Sequence, residues 1–139
     1  METNCRITFN PAKIPGATHS LTSEYVETFW LPVIGPTSFC MLRMLDRMYQ
    51  PIAGITATPT TSFPLVEFAA AIGVGGNLGR NSVLVRTLTR LEAFSILTRT
   101  SQTTYSAATY LPDLRPAQVA KLPAFLQAIH PEPAQPANA

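Results

Sequence analysis

The chain has 139 residues, enough for one domain with a real core and no need of a metal or disulfide staple. Charged residues make up only 13%, which excludes a coiled coil, a supercharged nucleic-acid tail and a charge-driven disordered chain. The net charge of +2 is unevenly placed: residues 79–100 hold Arg80, Arg86, Arg90 and Arg99 against Glu92, a local +3, and every other stretch sums to zero or −1. Clustered basic charge of this kind favours a polyanionic partner.

Residues 1–20, with Pro11, Pro15 and Gly16 and no sustained period, read as a flexible N-terminal arm carrying at most a short strand near Arg6–Phe9. Residues 21–130 read as the folded domain. Ser23 caps a first helix that should stop near Trp30–Leu31, because Pro32 disfavours helical geometry in the residue before it. Pro36 opens a second helix over 37–49, apolar except for the stripe Arg43, Asp46, Arg47 and Gln50. Such a helix is central to the fold or shared across a homodimer, with Cys40 as a small core residue.

Residues 51–62 are turn- and strand-like, and a helix follows at 63–72, ended by Gly73 in a left-handed conformation. Asn81 or Ser82 caps the next helix, which runs to about Phe94 on a ridge of Leu84, Leu88 and Leu91. Segments 96–100 and 103–110 form a hairpin around Ser101-Gln102. Weaker helices follow at 116–120 and 123–130. The tail 131–139, rich in proline and alanine, reads as disordered.

Helix, strand-like segment, helix, turn, helix and hairpin is the order of a winged helix-turn-helix. Over residues 36–110 the chain resembles that superfamily, with Leu65–Val74 similar to the first helix and turn and 82–94 to the recognition helix. The resemblance implies a mainly α fold with a small β-hairpin wing. Leu31–Phe39 also resembles the opening of the N-terminal winged-helix module of DnaD-type replication-initiation proteins. No counterpart of that family's long helical second domain is evident, so function does not carry over.

On a helical wheel the leucines lie on one side, and Ser82, Arg86, Thr89 and Arg90 lie opposite. Arginine can donate two bonds to guanine, and hydroxyls can meet phosphates or base edges. The expected DNA contacts are thus Arg86, Thr89 and Arg90 on the helix, Arg80, Asn81 and Ser82 at its start, and Arg99 on the wing. The partner implied is duplex DNA, bound by a small cytoplasmic transcriptional regulator, with dimerisation through 37–49 doubling the contacts. The rival is a protein-interaction module serving a replication or transcription complex.

Other chemistry is poorly served. The run Gly73–Gly79 approximates a nucleotide-binding loop, but a helix precedes it and no lysine follows. Cys40, His19 and His130 lack a triad-like context, and no metal-ligand spacing occurs. No enzyme, no cofactor, no metal site and no membrane span are expected.

Overall fold

The structure, a computed structural model, describes residues 5–50, 59–75, 79 and 82–131. Its strands are β1 (Arg6–Ala12), β2 (His19–Ser20), β3 (Ser62–Pro64), β4 (Leu97–Arg99), β5 (Thr104–Ala108) and β6 (Tyr110–Leu111). Its α-helices are α1 (Leu31–Ile34), α2 (Pro36–Met48), α3 (Leu65–Ala71), α4 (Val83–Ala93), α5 (Pro116–Val119) and α6 (Ala124–Ile129). A π-helical turn, Val26–Trp30, leads into α1.

The fold is mixed α/β, which corrects the expectation of a mainly α protein with a small hairpin wing. Helix accounts for 46% and strand for 19% of the described residues. The cause is β1. It enters the sheet between β3 and β5, giving the order β3-β1-β5-β4, antiparallel to β3 and parallel to β5. The hairpin β4-β5 is thereby extended into a four-stranded sheet, and β2 pairs with β6 in a second, two-stranded one. The short strand expected near Arg6–Phe9 is present, but it runs on to Ala12 and lies inside the sheet rather than in an arm. The expected tail lies outside the described residues, except for Pro131.

Alternation explains how β1 serves as a strand. Ile7 and Phe9 point to one face and keep 1% and 0% of their surface, while Arg6 and Asn10 are exposed. The Phe9 ring stacks on Tyr105 at 5.5 Å and meets Phe68 of α3 at 5.2 Å. Its amide donates to Thr61 O at 2.8 Å, and its carbonyl accepts from the Tyr49 hydroxyl at 2.9 Å. One residue thus joins the sheet to α3 and to the end of α2.

Helicity also continues past Pro32, where the sequence suggested a stop. Leu31 N–H bonds to Val26 O five residues back, so the π-turn closes and α1 starts afresh. Pro32 then sits in the first turn of α1, where a missing N–H costs nothing. Gly73 ends α3 at φ +83°, with Val74 N–H returning to Ala69 O at 3.0 Å, as its position in the sequence suggested.

Phe9→Ala should lower unfolding free energy by about 3–5 kcal/mol, read by urea denaturation. A loss below about 1 kcal/mol would return β1 to the status of an arm. A pH effect follows from Tyr49. Burial, and then the charge of Asp46, push its phenol well above the ordinary value. The folded chain thus holds this proton more tightly than the unfolded chain does. The associated stability is complete below about pH 10 and is lost as pH rises toward the folded value. Tyr49→Phe lacks this titration, so the stability gap between wild type and variant should narrow from about pH 9 to pH 11. Parallel stability curves would refute it.

Candidate nucleic-acid interface

Helix α4 begins at Ser82, whose Oγ accepts from Val85 N–H at 3.2 Å. Leu84, Leu88 and Leu91 are buried, and Thr87 joins them with its hydroxyl donating to Val83 O at 2.7 Å. Arg86, Thr89 and Arg90 are exposed on the outer face. Ser82 does not share that face: it keeps 5% of its surface and its hydroxyl is engaged as the helix cap. Arg80 and Asn81 lie outside the described residues.

The two arginines of α4 differ in what they do. Arg90 Nη1 donates to Ile34 O at 3.1 Å, across to the junction of α1 and α2. That junction turns on Gly35, at φ +89° and ψ 161°, a region open almost only to glycine. A Cβ on Gly35 would also stand 2.9 Å from Arg90 Nη1. The arginine therefore packs where a side chain would have been and binds the carbonyl beside it. The Arg86 guanidinium, one turn earlier, makes no hydrogen bond or ion pair with any described residue.

Between α4 and the start of α2 lies a cleft of about 270 Å³. Residues 34–38 form one wall; Val83, Arg86, Thr87 and Arg90 form the other. No described carboxylate lines it. A larger groove of about 520 Å³ lies beside α5, with Lys121 as its charged group, and gathers no comparable set of polar groups.

Arg99 is exposed on the edge strand β4, opposite Tyr105 of β5. Its Nε and Nη2 donate to the Tyr105 hydroxyl at 3.3 and 2.9 Å, and its guanidinium lies over that ring. The hydrogen bond to Tyr105 pushes the guanidinium pKa further up. Arg99 is thus oriented by the sheet rather than loose on a wing.

Two groupings escape sequence reasoning. Cys40, expected in the core, is exposed, because the inward stripe of α2 is Ser38, Met41, Leu42 and Leu45. The second grouping joins distant histidines. His19 Nε2 meets Asp113 Oδ1 at 2.5 Å and its ring stacks on Tyr25. The Tyr25 hydroxyl bonds His130 Nε2 at 2.7 Å and accepts from Leu114 N–H at 2.8 Å. Burial raises the Tyr25 pKa, the Leu114 N–H lowers it and the Asp113 charge raises it. With Phe29 against the His130 ring, this cluster ties β2 and the end of α6 to the first helical segment. Separations of 94 and 105 residues hide it from any local motif.

Compared with known proteins, the chain matches no family model, no curated protein and no solved structure. Among the described residues no helix is long and apolar enough to cross a membrane, and no group of histidine, cysteine and carboxylate side chains could hold a metal ion.

Gly35→Ala should cost about 1–3 kcal/mol through backbone strain and displacement of Arg90. Combined with Arg90→Ala it should cost less than the sum of the single changes, since both break one clasp. Urea denaturation of the four proteins tests this. Strict additivity would show that Arg90 and Gly35 act independently.

Proposed function

We propose that this chain binds duplex DNA through the outer face of α4, as a small cytoplasmic transcriptional regulator. The observation that carries the reading is Arg86, exposed and without a described protein partner on a helix whose leucines are turned inward. Thr89 and Arg90 are exposed on the same helix, and Arg99 is exposed and oriented on β4. The local charge of +3 over 79–100 favours a polyanion. The succession α2, β3, α3, α4, β4 and β5 keeps the order on which the winged helix-turn-helix resemblance rests, here inside a larger mixed sheet.

Within this reading Arg86 contacts a base edge or phosphate, and Arg90 contributes the N–H groups left over from its bond to Ile34. Ser82 acts as helix cap only. A second reading, a protein-interaction module, draws on α6, where Phe125 and Ile129 keep 71% and 63% of their surface four residues apart. It draws less on α2 as a dimer face, because Met41, Leu42 and Leu45 are buried within this chain.

Fluorescence anisotropy with a random duplex pool across salt tests the proposal. Wild type should bind at low salt and weaken steeply as salt rises. Arg86→Ala should lose about 1–3 kcal/mol if the side chain reads a base, or reduce the salt slope by about 1 if it holds a phosphate. No binding at low salt would overturn the DNA reading and leave the apolar surface of α6.

A further inference from the structure

The start of α2 has no side-chain cap. Gly35 offers no side chain, and among the described residues no side chain from elsewhere bonds the first turn. Pro36 has no N–H, and the first intrahelical bond runs from Phe39 N–H to Gly35 O. The amides of Thr37 and Ser38 are therefore the two donors left over, at the positive end of a 13-residue helix with no acidic residue in its first turn.

Ser38 adds an independent sign. It keeps only 2% of its surface, yet its hydroxyl has no hydrogen-bond partner among the described residues. No described side-chain oxygen or nitrogen is both fully occluded and unpaired. The small surface that Ser38 retains must therefore include its hydroxyl, and Ser38 lines the cleft facing α4. Arg86 lines the same cleft with its guanidinium unpaired, and Arg90 lines it while holding Ile34 O. Two amides, one buried hydroxyl and two guanidinium groups converge where no described carboxylate competes. Every one of these groups can donate a hydrogen bond, and four of the five are obligate donors.

We infer that this cleft is a phosphate site, and that on duplex DNA it holds one backbone phosphate between the start of α2 and Arg86. The assignment of DNA as the source of that phosphate rests on the reading above. The site would fix the register of α4 on the duplex without reading sequence, since phosphate contacts position and base contacts specify. A bound phosphate would also supply the cap that α2 lacks.

The test uses the full chain with Thr37→Asp, which places a carboxylate at the start of α2, where it favours the helix and competes with phosphate. Thr37→Asn is the uncharged control, and Thr89→Asp puts the same charge on α4 at a residue that does not line the cleft. Anisotropy across salt reads duplex binding, and amide NMR reads titration with inorganic phosphate. The expected result is that phosphate shifts the Thr37 and Ser38 amides in wild type and Thr37→Asn but not in Thr37→Asp. The salt slope for DNA should fall by about 1 in Thr37→Asp and hold in Thr37→Asn.

If Thr89→Asp weakens DNA binding while Thr37→Asp leaves the slope intact, the phosphate clamp is overturned and the DNA reading stands. If wild type binds no duplex but its Thr37 and Ser38 amides still shift with phosphate, the anion site is supported and DNA is overturned as its source. No shift with phosphate and no duplex binding would overturn both.

Discussion

The fold depends on an apolar side chain near the start of the chain. Phe9 has its ring between Tyr105 and Phe68, its amide on Thr61 and its carbonyl under the Tyr49 hydroxyl. These contacts hold three layers of local structure that the sequence writes separately: the β4-β5 hairpin, the β3-α3 corner and the end of α2. Without β1, β3 and β5 would have no common neighbour. The parallel β1-β5 pairing covers five residue pairs from Thr8↔Thr104 to Ala12↔Ala108, so the sheet closes only after most of the chain is present.

A second constraint sets the candidate interface. Arg90 fills the space above Gly35 and binds Ile34 O, so the slope of α4 is tied to the place where α2 begins. Glycine is required twice there: for its φ of +89° and for the room it leaves the guanidinium. The same clasp opens the first turn of α2 toward α4 in place of a side-chain cap. The unpaired Thr37 and Ser38 amides thus begin beside the cleft that Arg86 and Arg90 line.

Elements set by local chemistry were legible in the sequence, and those set by distant pairing were not. The helix at 83–93 could be read from Ser82 and the leucine ridge, and the end of α3 from Gly73, because each signal acts within a turn or two. Residues 6–12 alternate clearly only at Ile7 and Phe9 before Pro11 interrupts them, and their partners lie at 62–64 and 104–108. Local signals reach only a short strand near Arg6–Phe9, and nothing local shows that it enters a sheet. Periodicity separated Arg86 and Arg90 from the leucines but could not show that Arg90 is bonded to Ile34 O. It also misplaced Ser82, because a cap turns its side chain back into the helix and the wheel does not apply to it. Likewise the apolar richness of α2 concealed which stripe faces inward, so Cys40 was expected inside and stands exposed.

The division of labour between Arg86 and Arg90 bears on how binding could be specific with so little charge. A local +3 supplies only modest counterion release, so affinity cannot rest on number of contacts alone. Pre-organisation can compensate, because side chains already held in place lose less freedom on binding. Arg90 is held by Ile34 O and Arg99 by the Tyr105 hydroxyl and ring, before any partner arrives. Of these three only Arg86 has a guanidinium with no hydrogen bond or ion pair to a described residue, and the uncapped amides beside it are fixed by the helix they begin. A phosphate meeting fixed amides and one unpaired guanidinium would be positioned by the backbone and secured by the side chain. In that arrangement orientation resides in the fold, and Arg86 completes the contact.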